Sequence, residues 1–375
     1  MPRRILVFGP AYLDRVLRVD RPLRGPCDGP PIDQSVDGTL VFGPGLSLVD
    51  PAGTTIEVAL PGDWPGPTGR ILLSGRLSDG EGGWHRNLIG EAWRDDLGGM
   101  GAGYAAALGG ELVSALGPED DPRSRLVADL LAARGVAHHP IRVADREADW
   151  TLLVTSAGHG DKLPIGFRGC HSALDSLAPY SGRPCDLRVV AALPNRLAEG
   201  VLRAPGAAVR FFAPSMRNVL DRDCPIGRFA GTIDVLSLNR REWESLPDRE
   251  EIAWRVSILA ITDGPLGSLV RFTTPTGEPG IVRVPAFPRS CPPRDTNRAG
   301  EAYAASLLAT LLDAGWLGGP SDASLVRHAA GRASAAAALV LDRLDFGFPD
   351  PSQIDAALRL GRVNPVPRGG NDDVR

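Results

Sequence analysis

The sequence predicts an α/β fold: a doubly wound, mostly parallel sheet with helices on both faces, joined to a small β-sheet unit. Three observations predict it. From Glu111 to Phe272, short apolar runs alternate with helical segments, the pattern of strands linked by crossover helices. Residues 24–94 instead break into brief strand-like pieces between dense Gly and Pro. From Ser321 onward the chain reads as helical, with an alanine-rich stretch over Ala323 to Leu341.

Taken in order, Ile5-Leu6-Val7-Phe8 is an apolar run before Gly9-Pro10 and reads as a buried strand ending in a turn. Asp14 follows, where the strand end is expected to open onto loops, the usual place for ligands in open α/β sheets. Within 24–94, Thr39 to Phe42, Thr54 to Leu60 and Arg70 to Leu73 are the strand-like pieces of a small antiparallel unit. Next comes the Gly-rich turn Leu97-Gly98-Gly99 and a small-residue helix stopped by Gly109-Gly110. Gly101-Ala102-Gly103-Tyr104-Ala105-Ala106 matches the G-x-G-x-x-A dinucleotide pattern, but Trp93-Arg94-Asp95-Asp96 before it does not read as the buried strand that motif needs.

Strands are then expected at Leu112 to Leu116, Trp150 to Thr155, Leu187 to Ala192, Ala208 to Ala213, Asp234 to Leu238, Ser257 to Thr262 and Ser268 to Phe272. Gly158-His159-Gly160 turns the second of these into a partner strand ending near Phe167. Helices are expected at Ser124 to Ala133, from Arg249 to Arg255 and at Pro351 to Leu360. A polar, Gly-containing turn, Pro293 to Gly300, leads into the apolar run Ala302 to Leu312, which predicts a helix starting at about Arg298. Such a start leaves backbone N–H groups free to hold an anion, and Glu301 beside it can take a proton from an attacking hydroxyl.

Composition narrows the function. With 375 residues, 43% of them hydrophobic, the chain can bury one large or two medium cores. Net charge is −4 with both signs mixed throughout, so neither nucleic acid nor a membrane surface is an expected partner. Lys162 is the only lysine among 41 basic residues, and no Walker-type phosphate loop is present because that loop needs its lysine. The five cysteines (Cys27, Cys170, Cys185, Cys224, Cys291) form no C-x-x-C pair, so neither a zinc site nor a disulfide framework is expected. His138-His139 precede Pro140 and are expected in an exposed turn. No signal peptide and no apolar stretch of ~18 residues is found, so the expected location is the cytoplasm.

Several pieces lie in one order: the strand with Gly9 and Asp14, Gly98-Gly99, Asn239-x-x-Glu242, Thr262-x-Gly264-x-x-Gly267, and Asp295-Thr296 leading to Ala299-Gly300-Glu301. Together they resemble the ribokinase-like (PfkB) carbohydrate kinases over roughly residues 3–24 and 95–360. The resemblance implies ATP-dependent phosphorylation of a hydroxyl on a sugar, nucleoside or similar small molecule, with Mg2+ and a monovalent cation as accessory ions. It implies that Asp14, Gly98, Gly99 and Gly103 border the substrate. Asn239, Glu242, Thr262, Gly264, Gly267 and Asp295 border the nucleotide, with Glu242 reaching the metal through water. Arg298, Ala299, Gly300 and Glu301 form the catalytic stretch, as anion hole and base. It also implies a core of 1–23 and 95–362 with a lid built from 24–94 and the hairpin 150–168. Residues 363–375, polar and Pro/Gly-rich, are expected to be a loose tail, and the size of 24–94 suggests a homodimer through the lid.

Three departures from the family pattern stand out. G-A-G-D reads Arg298-Ala299-Gly300-Glu301, and the asparagine of G-G-x-x-x-N is Gly103. Glutamate moves the carboxylate by roughly 1 Å, a shift that can cost ~100-fold in rate. Arg298 either obstructs the anion hole or grips phosphate. These departures leave a second reading, a catalytically impaired relative that binds nucleotide or a sugar-like ligand in a regulatory or scaffolding role. The 24–94 segment exceeds the usual lid by about 50 residues, surface enough for a partner.

Overall fold

Four consecutive apolar residues form β1 (Ile5–Phe8), and three of them are fully buried, as a central parallel strand covered on both faces requires. The structure, a computed structural model, describes residues 3–23, 37–42, 45–49, 55–60, 69–74, 87–156, 162–343 and 345–363. The chain leaves β1 for β2 (Tyr12–Val19), β3 (Asp37–Phe42), β4 (Gly45–Val49), β5 (Thr55–Ala59), β6 (Gly69–Ser74) and β7 (Asn87–Gly98). It returns through α1 (Met100–Leu108), β8 (Glu111–Leu116), α2 (Pro122–Ala133) and β9 (His138–Arg142). A second excursion makes β10 (Trp150–Ser156) and β11 (Lys162–Phe167). Strands and helices then alternate: α3 (Ala178–Ser181), β12 (Cys185–Ala191), α4 (Asn195–Arg203), β13 (Ala207–Ala213), α5 (Met216–Val219), β14 (Val235–Asn239), α6 (Arg240–Ser245), α7 (Arg249–Arg255) and β15 (Ile258–Thr262). The hairpin β16 (Ser268–Thr273) and β17 (Pro279–Val284) precedes α8 (Ala299–Asp313), α9 (Ala323–Val340) and α10 (Pro351–Leu360).

Among the described residues the strands form two sheets. One runs β17-β16-β15-β14-β13-β12-β1-β8-β9, parallel from β15 to β9 with an antiparallel hairpin at one edge. The other runs β11-β10-β2-β7-β5-β4-β3-β6. Side-chain alternation divides the first sheet's core in two. Val7 packs with Leu307 and Ala330 on the α8–α9 face, whereas Leu6 and Phe8 pack with Val201 and Trp243 on the other. The doubly wound, mostly parallel sheet with helices on both faces is therefore present, and so is the smaller β unit. No helix among the described residues is long and apolar enough to cross a membrane.

The second sheet differs most from expectation. Asp14 lies within a strand, β2, and not in a loop; Trp93 to Asp96 also lie in a strand, β7. Both strands hide their strand character behind charges that find partners across the ladder or at the end of α2. Arg15 makes a two-pronged contact with Asp95 at 2.8 and 2.9 Å, and Arg134 reaches Asp96 at 2.8 Å. The expected boundary between residues 94 and 95 falls inside β7.

His138 and His139 lie in β9, not in an exposed turn. This is an edge strand, where Pro140 is tolerated. His138 Nε2 sits 2.7 Å from Ser114 Oγ, and burial together with the charges of Arg142 and its histidine neighbours pushes its pKa down to about 4. The expected strand pieces at Thr39, Thr54 and Arg70 fall in β3, β5 and β6, apart from Thr54, which lies outside the described residues. Lys162 opens β11, and its side chain lies outside the described residues, as does the tail beyond Val363.

Candidate active site

The site assembles where β2 and β7 leave the second sheet and meet the starts of α1 and α8. Helix α8 begins without a side-chain cap, and its first internal hydrogen bond runs from Ala302 N–H to Arg298 O at 2.9 Å. The backbone N–H groups of Ala299 and Gly300 therefore precede the helical ladder. A Cβ added at Gly300 would meet nothing within 4 Å, so open space borders this turn. The loop before it is fastened by Arg294 N–H and Asp295 N–H, which donate to Leu341 O at the end of α9.

Glu301 stands in the first turn of α8 and rests on α1. A Cβ at Gly103 would lie 3.3 Å from Glu301 Cγ and 3.6 Å from Phe348 Cζ. Gly98 is closer still to Asp14: a Cβ there would lie 2.5 Å from the Asp14 carboxyl carbon. Gly99 has φ of 99°, and a side chain on it would strike Pro10 O at 2.2 Å, so only glycine makes this turn. Tyr12 and Asp14 share one face of β2, because alternate residues of a strand point the same way. Burial, then the charge of Asp14, raises the Tyr12 hydroxyl well above its ordinary pKa, and Glu301 adds to the rise. Tyr104 is raised by burial, then by Glu301 and Glu242.

Glu301 is thus the charge common to Tyr12, Tyr104 and Glu242, while Asp14 acts on Tyr12. Glu242 belongs to a capping box at the start of α6, where Asn239 Oδ1 accepts from Glu242 N–H and Glu242 Oε2 accepts from Asn239 N–H, both at 2.9 Å. Burial raises the Glu242 carboxyl; the Asn239 bonds oppose the rise and the Glu301 charge adds to it. Thr262 pairs with Asn239 across β14 and β15, and Arg240 bridges to Asp263 at 3.1 Å, so the Thr262 to Gly267 turn lies beside this cap. Gly267, at φ 90°, passes so close to Val284 O that a Cβ would sit 2.2 Å away, while Gly264 borders open space.

Arg298 adopts the left-handed conformation, φ 65°, and its side chain is turned into a buried cluster. Its guanidinium lies 3.9 Å from Asp96 Oδ2, 3.5 Å from Asp295 Oδ2, and 5.7 Å from the ring centroid of Phe346. Arg134 approaches the same ring at 5.2 Å and the same aspartate at 2.8 Å. Asp295 also accepts from Asn297 N–H at 2.7 Å. Asp295 and Arg298 thus form an ion cluster with Asp96 of β7 beside the turn that opens α8.

Sequence reasoning missed Tyr12, Asp96, Tyr104, Arg134, Phe346 and Phe348. Tyr12 had a signal, its two-residue spacing from Asp14. The others meet the site only through contacts between distant elements.

No family model matches the sequence, and no curated protein matches it. Solved structures do. Ribokinase from Giardia lamblia aligns over 96% of this chain and 100% of its own, with 16% identity and a TM-score of 0.64. The chain has the ribokinase fold. A nucleoside kinase from Burkholderia thailandensis, solved with inosine, shows the same fold with 17% identity, 95% and 98% coverage and a TM-score of 0.61. Ribokinase from Cryptococcus neoformans, solved with ADP, gives 17% identity, 95% and 99% coverage and a TM-score of 0.58. In this fold Tyr12, Asp14 and Gly98 lie in the second sheet, Asn239 ends β14, and Glu242 and Glu301 stand in the first turns of α6 and α8.

Proposed function

We propose that the protein transfers the terminal phosphoryl group of ATP to a hydroxyl of a sugar, nucleoside or similar small molecule. The observation that carries this reading is Glu301, an acid in the uncapped first turn of α8, lying against the helix that follows the substrate-side turn Gly98-Gly99. Phosphoryl transfer asks a protein mainly for positioning and for stabilisation of spreading negative charge. Here the backbone N–H groups of Ala299 and Gly300, at the positive end of the helix, receive the phosphoryl oxygens. Glu301 takes the proton of the attacking hydroxyl. Asp14, held against Gly98, orients the acceptor by accepting from its hydroxyl groups.

The open space over Gly300 and Gly264 fits a triphosphate lying between the anion-hole turn and the Thr262 to Gly267 turn. Glu242 and Glu301 interact unfavourably without a cation between them, which fits a hydrated Mg2+ held near Glu242. Bound there, Mg2+ neutralises the phosphate charge. The ADP and inosine named for the two fold neighbours are consistent with nucleotide donor and polyhydroxy acceptor.

A second reading is favoured by one feature. Gly103 offers the acceptor no side chain, and the longer Glu301 rests on it. On this reading the cleft binds nucleotide or a sugar-like ligand without turnover. Phosphotransfer from ATP over a panel of sugars, nucleosides and polyols, run beside Glu301→Gln, separates the two. Turnover that falls ~100-fold or more in the variant with ATP-analogue binding retained supports the kinase. Equal turnover in both proteins removes Glu301 from the base role, and binding without turnover on any acceptor establishes the second reading.

A further inference from the structure

Outside this cleft, Asp149, Cys170 and His171 meet at the root of the β10–β11 hairpin. Asp149 directly precedes β10, and Cys170-His171 follow β11 after two residues. Asp149 Oδ2 is 2.9 Å from His171 Nδ1 and 3.2 Å from Cys170 Sγ, and the two latter atoms are 3.7 Å apart. A tetrahedral zinc ion, with bonds of about 2.0–2.3 Å, separates O, N and S ligands by roughly 3.3–3.6 Å. Shifts of a few tenths of an ångström convert the one arrangement to the other.

The hydrogen bonding of the cluster is lopsided. Asp149 Oδ2 is approached by the Cys170 thiol, by His171 Nδ1 and by His171 N–H, the last at 2.9 Å. Asp149 Oδ1 and His171 Nε2 are buried without any hydrogen-bond partner, although Asp149 is only 1% exposed. The orphaned Asp149 Oδ1 costs stability unless something else meets it, and an ion bound at this carboxylate is one such thing, whereas an ion held by Nδ1 leaves His171 Nε2 unmet. Thiolate, imidazole and carboxylate together select a zinc-class ion over magnesium or calcium.

We propose that Asp149, Cys170 and His171 bind one divalent ion of the zinc class, with Asp149 Oδ1 or a water in the fourth position. Binding replaces the Cys170 S–H bond by a sulfur–metal bond and releases that proton to solvent. The imidazole proton moves from Nδ1 to Nε2, and no electron is transferred. Because the ion displaces the Cys170 thiol proton, affinity rises with pH.

The site has a structural consequence. Asp149 O accepts from Leu13 N–H of β2 at 3.3 Å, and Cys170 N–H donates to Glu147 O at 2.9 Å. The ion therefore ties both roots of the hairpin to the strand that carries Tyr12 and Asp14. The inference does not rest on the kinase reading.

Its test is a titration of chelator-stripped protein with Co2+ alone, followed by Zn2+ alone as competitor. The expected result is one equivalent of Co2+ with visible tetrahedral bands and a near-ultraviolet thiolate band, displaced by Zn2+ and not by Mg2+. Cys170→Ser loses the thiolate band and binds at least tenfold more weakly, His171→Gln weakens binding likewise, and Cys224→Ser changes neither. Circular dichroism checks that each variant is folded. Absence of stoichiometric Co2+ or Zn2+ binding in the parent overturns the proposal, whatever the variants do. So does a thiolate band that survives in Cys170→Ser.

Discussion

Glu301 packs its side-chain stem on Gly103, so that a Cβ added to the glycine would lie 3.3 Å from Glu301 Cγ and 3.7 Å from Glu301 Cβ. The longer acid and the missing side chain are complementary in volume. Gly103→Asn alone must displace Glu301, so turnover is expected to fall at least tenfold. Glu301→Asp alone withdraws the carboxylate from its packed position, with a loss of similar size. The double variant should recover part of both, with a coupling of ~1 kcal/mol or more in a double-mutant cycle on kcat/KM. Additive losses would show that the two positions act independently.

Gly98 holds Asp14 in place by being small. Gly98→Ala puts a methyl group 2.5 Å from the Asp14 carboxyl carbon, and the carboxylate must move. The expected outcome is an acceptor KM raised at least tenfold with ATP-analogue affinity unchanged, measured by initial rates and calorimetry. A variant with parental acceptor KM would mean that Asp14 does not contact the acceptor.

Arg298→Gly has two opposed effects. It relieves a left-handed non-glycine residue, worth about 1–2 kcal/mol, and it strips one cation from the buried Asp96 carboxylate, worth about 3 kcal/mol. Thermal unfolding should therefore show a net loss of ~1–2 kcal/mol in the parent background. In an Asp96→Asn background that loss shrinks, Asp295 at 3.5 Å remaining as the partner of Arg298, and the same change should destabilise less. An equal loss in both backgrounds would refute the Asp96 pairing.

Glu242 gives a pH signature. Its carboxyl is raised above 4.5, burial being the largest cause. A carboxyl whose folded pKa is raised contributes stability that is full below the unfolded value and lost as pH rises through the folded value. Ligand-free Glu242→Gln keeps the capping box, so its Tm advantage over the parent should grow as pH rises from about 4.5 toward 7. Mg2+ with nucleotide, which favours the ionised acid, should reverse that advantage. Parallel Tm profiles would show that Glu242 carries no such burden.

The main sheet was legible because its strands are short apolar runs whose burial on both faces leaves little choice of partner. Helix starts were legible too, since capping and turn chemistry are local: α8, α9 and α10 begin within a residue or two of the expected positions. β2 and β7 were not, because Arg15, Asp95 and Asp96 look solvated until the partner that neutralises each is in view. The motif order singled out Asp14, Gly98, Gly103 and Glu301, and the structure packs Asp14 against Gly98 and Glu301 against Gly103. What the residue types left open was how they meet.

The sequence by itself determined the alternation of elements, the polar turn that opens α8 and the carboxylate placed in its first turn. Tertiary structure alone decided that Glu301 rests on Gly103, that Asp14 sits in a strand against Gly98, and that Arg298 is drawn into an ion cluster with Asp96. It alone brought Asp149 to Cys170 and His171. The physical reason is common to all four. Helix and strand propensities act over a few residues, whereas packing volume and buried charge are settled by neighbours from other parts of the chain that meet only in the folded molecule.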